Sequence, residues 1–272
     1  MGWRYRVAAF LWVAASCPAA RLTAPAARAF DDYIATVETR LSAQHSNPAT
    51  YLVTLRSPAA EERLLSGDTL IEPVHGGSWH VPGGLMHHWR AAALVPGADA
   101  EQMLALLKDA GHLSRYYAPQ VVSSRSLASA GNSGSLIRFK KQKIVTVVLD
   151  AEFEGHNQLT GGNRGYSFTR STHIWQVDQP GTAREHRRPE GDDSGYLWRL
   201  NSYWSFLQGP AGLFIECEAV SLTRDVPLGL GWLITPIIQD LPRESLEFTL
   251  GATKNALMAY ARKEETRDDR AN

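Results

Sequence analysis

Three observations predict an α+β fold in which a curved antiparallel β-sheet wraps around a long C-terminal helix, with a short helical extension in front. Strand-like segments follow one another from Val121 to Leu222 with no helix among them. One long amphipathic helix, Arg243–Lys263, comes last, with Leu246, Leu250, Thr253, Leu257 and Tyr260 repeating on one face. A meander of that length leaves a face to be covered, and this helix is the available cover. Composition agrees, since 44% hydrophobic and 21% charged residues make an ordinary core-forming mixture. Lys plus Arg equals Asp plus Glu at 28 each, which excludes a nucleic-acid partner held by phosphate neutralisation.

The front of the chain reads as an address. Arg4 and Arg6 precede the apolar run Val7–Ala15, and small residues and prolines follow to Ala29. Basic, then apolar, then small is the pattern of a secretory signal, and the run is short of the roughly 20 residues that span a bilayer. Ala27-Arg28-Ala29 offers small residues where a signal peptidase reads, so residues 1–29 are assigned to a signal cleaved before Phe30. The protein is then exported, periplasmic or secreted. Lipidation at Cys17 is the alternative within export. Without residues 1–29 the chain has 24 basic and 28 acidic residues, a formal charge of −4. Cys17 and Cys217 cannot build a disulfide framework.

Residues 30–66 form the helical extension. Phe30–Ala43 reads as one helix. Ser57–Ser66 reads as another, with Ser57 as cap, Pro58 in the first turn and Gly67 as stop. Strands are expected at Thr69–Val74 and Leu85–Val95, then helices at Asp99–Asp109 and Leu113–Tyr117. The meander follows as Val121–Leu127, Ser135–Ile144 running into Val145–Glu154, Tyr166–Gln176, Tyr196–Leu207 and Gly212–Leu222, with Gly-rich turns between. Residues 263–272 read as a disordered charged tail.

Val95-Pro96-Gly97-Ala98 leading into the helix after it, the paired long strands and the closing helix together resemble the START-like helix-grip superfamily over about Leu85–Arg262. That superfamily includes lipid-transfer domains and polyketide cyclases or dehydrases, and residues 67–262 are assigned to such a domain. The chain is also similar to an uncharacterised exported bacterial branch, through the run from Gly195 to Trp204 and through Pro242-Arg243-Glu244-Ser245-Leu246. The resemblance implies a cavity for a hydrophobic ligand between sheet and helix, and no particular ligand.

Alternation along the strands sorts their faces. Val145, Val147, Leu149, Ala151 and Phe153 share one. Tyr166, Phe168 and Ile174 share another with Arg170, a misfit that calls for a carboxylate or an anionic head group. Tyr196, Trp198, Leu200, Trp204 and Phe206 oppose Arg199, Asn201, Tyr203 and Ser205. Leu213, Ile215, Cys217 and Ala219 oppose Glu216 and Glu218. Apolar residues of this last hairpin meet only if paired residue numbers sum to an odd value such as 419 or 421. The polar set reads as a solvated outer face, or else as a polar pocket, and Glu218→Gln is expected to be tolerated. Cys217 reads as an inert buried thiol. Ligand-lining candidates are Trp89, Phe153, Phe168, Arg170, Trp198, Trp204, Ile215 and Leu250. The uncharged, Gly- and Pro-broken stretch Val226–Ile238, with Leu230, Trp232, Leu233 and Ile237, reads as a lid, a membrane contact or a buried cap.

No cofactor fingerprint is present. His75, His80, His87 and His88 match no usual zinc spacing, and there is no nucleophile elbow, phosphate loop or Cys-x-x-Cys. Asp192-Asp193 read as turn residues. The function expected is binding or transfer of a hydrophobic small molecule or lipid, with peripheral membrane contact as an option. A cyclase- or dehydrase-type enzyme in the same cavity and a structural envelope protein with a filled core are the alternatives. A carrier should have an almost wholly apolar cavity with at most one polar anchor, and an enzyme a titratable group of perturbed pKa in it.

Overall fold

The computed structural model of the chain describes residues 20–128, 133–142, 146–225 and 231–268. Val7–Ala15 and Cys17 of the expected signal, Val145, and Leu230 of the expected lid lie outside them. A two-residue strand, β1 (Ala20–Arg21), precedes helix α1 (Ala24–His45). After two turns of 3-10 helix comes α2 (Pro58–Leu65), where the Ser57 side chain accepts from the Ala60 N–H as the sequence predicts. Strands β2 (Thr69–Val81) and β3 (Gly84–Val95) lead to α3 (Ala100–Lys108), capped reciprocally by Asp99 and Gln102, and to α4 (Leu113–Tyr116). The meander comprises β4 (Val121–Leu127), β5 (Ser133–Gln142), β6 (Thr146–Thr160) and β7 (Arg164–Asp178). The short β8 (His186–Arg187) and β9 (Asp192–Asp193) precede β10 (Arg199–Gly209), β11 (Gly212–Thr223) and α5 (Gly231–Asp268).

Nine strands form one antiparallel sheet in the order β2-β3-β11-β10-β7-β6-β5-β4, with β8 added on β7, while β1 pairs with β9. This is the α+β helix-grip arrangement, a sheet closed on one face by the C-terminal helix. The β10–β11 hairpin pairs Trp204 with Cys217 and Gly209 with Gly212, so residue numbers sum to 421 and apolar meets apolar. The inner face, against α5, carries Ala91, Ala93, Val95, Trp204, Phe206, Leu213, Ile215 and Cys217. They pack with Met103 and Leu106 of α3 and with Leu246, Leu250 and Leu257 of α5.

Four expectations are corrected. Helix α1 begins at Ala24 rather than Phe30, because Ala26, Phe30, Ile34, Val37 and Leu41 make one continuous buried stripe. A cut before Phe30 would therefore fall inside a helix that is capped by Thr23 and whose Ala26 is buried. Strand β2 continues past Val74 through a bulge, with Gly76 and Gly77 at positive φ that glycine alone adopts freely. Helix α5 starts at Gly231, not Arg243: Pro236 and Pro242 each forfeit one bond to the carbonyl four residues earlier, and the helix runs through both. The same helix continues to Asp268 where a disordered tail was expected, since Lys, Glu and Arg propagate helix well.

Candidate functional site

Helix α1 decides which residues can meet a ligand, because it covers the outer face of the sheet. Its stripe packs on Met86, Trp198, Tyr203, Val220 and Leu222, while Tyr51, Leu52 and Leu64 cover Ala92, Leu94 and Phe214 beside it. The polar set expected to be solvated lies underneath. Glu218 is 1% exposed; its carboxylate accepts from His88 Nε2 (2.8 Å) and Arg90 Nε (3.0 Å), and pairs with Arg40 of α1. Burial alone would raise its pKa, but the His88 hydrogen bond and the charges of Arg90 and Arg40 outweigh that and bring it to about 2. His88, kept neutral by burial, accepts at Nδ1 from the Tyr33 hydroxyl (2.7 Å). Glu216, 2% exposed, takes the Thr54 N–H (2.8 Å) and hydroxyl (2.7 Å). His45, at the end of α1, bonds Ser205 (2.7 Å) and stacks on Tyr166.

Three of the eight ligand-lining candidates belong to this covered face. The misreading has a local cause: Glu152 pairs with His173 and Phe153 with Ser171, so Thr172 is an inserted residue. A bulge of one residue reverses the alternation. Ile174 therefore faces inward with Ala151, whereas Tyr166, Phe168 and Arg170 face α1. Arg170 finds its carboxylate in Glu38 of α1, at 2.6 and 2.7 Å, and the Tyr203 hydroxyl donates to the same group at 2.9 Å. Trp198 precedes β10, outside its alternation. It packs under α1 and donates from Nε1 to Asp193 (3.2 Å), which is 1% exposed and so no solvated turn residue.

The other five, Trp89, Phe153, Trp204, Ile215 and Leu250, lie on the inner face. Helix α5 packs chiefly on β3, with β11 and β2, and α3 lies over β6, β7 and β10. Between them one row of the inner face keeps partial exposure, while the rows beside it are mostly buried. Pairing lines up Trp89, Ala219, Ser202, Thr169 and Gly155 straight across β3, β11, β10, β7 and β6. Trp89, Ala219, Ser202 and Thr169 are half-buried in the middle of a nine-stranded sheet, although His88, Glu218, Val220, Asn201 and Tyr203 beside them on the outer face are buried. Leu200 and Phe153 stand in the row on one side, and Trp204 in the row on the other. Short side chains flanked by large ones make a groove, and no Asp or Glu stands on these three rows.

The groove is less apolar than the expectation for a carrier. By strand alternation Ser135, Ser167, Thr169, Ser202 and Ser221 lie on this face, and because they come from four strands no single strand's pattern brings them together. Among the titratable groups beside it, His87 is satisfied by Ser78 (2.8 Å) and Thr223 (3.0 Å), and burial holds it at about 4. Burial, then the charges of Glu218 and Glu216, push the Cys217 thiol well up, which fits an inert thiol. Among the described residues no group of three or more His, Cys, Asp and Glu is arranged to hold a metal, and no helix is long and apolar enough to cross a membrane. Trp232, Leu233 and Ile237 stand in the first turns of α5, in place of the irregular stretch predicted there.

No family model and no curated protein matches the sequence. Solved structures with a similar arrangement include a START superfamily protein from Mycobacterium smegmatis, 13% identical, TM-score 0.43, covering 65% of this chain and 99% of that one. A STAR-related lipid transfer protein from Xanthomonas axonopodis is 16% identical, TM-score 0.40, over 71% and 98%. The di-domain ARO/CYC StfQ from the steffimycin biosynthetic pathway is 10% identical, TM-score 0.43, over 66% and 52%.

Proposed function

We propose that this chain is an exported binding or transfer protein that holds a hydrophobic small molecule or lipid in the groove between the sheet and α5. The observation that carries the reading is the half-buried row Trp89–Ala219–Ser202–Thr169 at the centre of the inner face. A sheet centre that stays open under its own covering helix has room for something other than protein. Burying about 300 Å² of apolar ligand there is worth roughly 7 kcal/mol before ordering costs. Binding is favoured over catalysis because the three rows carry no carboxylate and His87 already has both nitrogens engaged. Export is part of the proposal, with the mature chain starting upstream of Ala20, since β1 pairs with β9, Thr23 caps α1 and Ala26 is buried in its stripe.

The test is native mass spectrometry of the exported protein purified without detergent, followed by solvent extraction. A stoichiometric apolar mass that disappears in Ala219→Trp, with folding retained, is the expected result. An identical extract from the blocked variant would move the ligand out of the groove. N-terminal sequencing of the same sample should give a start before Ala20; a start at Phe30 would contradict the packing of α1.

A further inference from the structure

We propose a second binding site, on the outer face and apart from the groove, in which Arg164 and Tyr51 take the carboxylate group of a small organic acid. Arg164 opens β7 and pairs with Leu207, beside Tyr51, which packs on His45 at the end of α1. Its guanidinium lies over the Tyr51 ring, 5.4 Å from the centroid. Arg40, Arg90, Arg138, Arg170, Arg188 and Arg199 are half-buried likewise, and each pairs with a carboxylate. Arg164 is half-buried too, and its guanidinium bonds no described residue. Holding a charge partly out of water without a counter-charge is unfavourable, and buried polar groups normally find partners.

Two donors without an acceptor meet here. The Tyr51 hydroxyl, on a residue 1% exposed, and the Nε–H of Arg164 are both buried with no hydrogen-bond partner. Thr160, opposite Arg164 in the hairpin, approaches the hydroxyl outside hydrogen-bond geometry. Burial raises the pKa of that hydroxyl to about 12, so at neutral pH it keeps its proton and donates. His45, pushed down to about 4 by burial, adds no charge, and Glu216 is committed to the Val53 and Thr54 N–H groups. The missing group is therefore an acceptor of unit negative charge. One carboxylate oxygen would take Nε–H and the Tyr51 hydroxyl, and the other an Nη–H, the two-pronged geometry in which arginine holds carboxylates. A phosphate dianion would leave one charge over. Entry is from the β6–β7 turn, where Gly161 and Gly162 are exposed. A Cβ at Gly161 would stand 3.7 Å from Nη2 of Arg164, and one at Gly162 would meet nothing within 4 Å. The Nη groups are not among the sealed atoms, so an arriving anion meets them first.

The test uses the full chain at neutral pH in sodium acetate, against sodium chloride and sodium phosphate at the same ionic strength. The Arg164 Nε–H signal in a proton–nitrogen NMR spectrum should move as acetate is added, which gives the dissociation constant. Acetate at about ten times that constant should raise the thermal unfolding midpoint by about 3 °C over chloride. Arg164→Gln should abolish the rise. Tyr51→Phe should weaken acetate at least about fivefold, and, because it deletes a buried donor that has no partner, it should not lower the midpoint in chloride. Acetate that acts no differently from chloride overturns the proposal, as does a rise that survives Arg164→Gln. A larger rise in phosphate than in acetate overturns the choice of a carboxylate. A lower midpoint for Tyr51→Phe in chloride, with the acetate effect intact, overturns the part given to Tyr51. The groove lies on the other face of the sheet, so its reading stands or falls separately.

Discussion

On the outer face of β10 and β11, Tyr203, Glu216, Glu218 and Val220 are all under 5% exposed beneath α1, while on the inner face of the same strands Leu200, Ser202 and Ala219 remain half-open. The closed face is the more charged one. Carboxylates there are tied to Arg40 and the Thr54 N–H of the N-terminal segments and to His88 and Arg90 of β3, and Glu38 of α1 is tied to Arg170 of β7. On the open face the Ser171 hydroxyl accepts from the Leu200 N–H, while those of Ser202 and Thr169 have no partner among the described residues. Polarity that is paired serves to seat α1; polarity that is unpaired is where a ligand has something to do. Charge content alone would have pointed to the wrong face.

The largest expected effect that distinguishes them is Glu218→Gln. It leaves Arg40 and Arg90 against a neutral amide in a buried site, and such a break costs about 3 kcal/mol. Urea unfolding should show a loss of that order, whereas Ser202→Ala should change stability by less than about 0.5 kcal/mol. Equal, small effects from both would mean that α1 is not seated through Glu218.

Acid should act on the closed face next. Burial lowers the pKa of His45 from 6.5 to about 4 and lowers that of His88, so between those values the unfolded chain binds more protons than the folded one. Stability is then full above about pH 6.5 and falls as pH drops toward 4; Glu218, depressed to about 2, extends the fall below pH 4.5. His45→Gln should flatten part of the upper limb in melts taken from pH 8 to pH 4. A midpoint that rises on acidification from pH 7 to pH 5 would contradict burial of these imidazoles.

How much of this was legible in the sequence follows from what local pattern can encode. The element order, the hairpin register and the inward set Leu213, Ile215 and Cys217 were readable because they depend on period and turn chemistry. The face of Phe168 and Arg170 was not, because the bulge at Thr172 is a property of the pairing with β6 and leaves no mark in the β7 residues. The stripe Ala26, Phe30, Ile34, Val37 and Leu41 was readable, but an expected cleavage before Phe30 cut it short. The helix itself was expected, but no local pattern says that it lies on the outer face of the sheet, so Glu218 and Glu216 read as solvated. The groove depends on residues being small, which alternation does not register.

Arg170→Leu is a smaller and sharper test. Its ion pair with Glu38 is about a third exposed on both sides, so its loss should cost about 1 kcal/mol or less. Ligand binding should be unchanged, because the guanidinium lies on the far side of the sheet from the groove. A tenfold weaker complex with normal stability would make Arg170 a ligand anchor after all, and the face assignment of β7 would have to be reversed.

The smallest expected change in stability, and the one that bears most directly on whether the inner face is open, is Ala219→Leu. Ala92 serves as its control on the outer face, 2% exposed and packed under Tyr51, Leu52 and Leu64. Ala92→Leu overfills a closed core and should cost about 1–3 kcal/mol. Ala219 is half-buried at the edge of the inner core, so three extra carbons there keep a partly exposed side, and stability should shift by less than about 0.5 kcal/mol while ligand uptake is lost. The two alanines stand on adjacent strands of one sheet and the substitution is the same, so backbone propensity nearly cancels. What remains between them is the space above each Cβ. Equal destabilisation at both positions would mean that side chains fill the inner face as completely as the outer one.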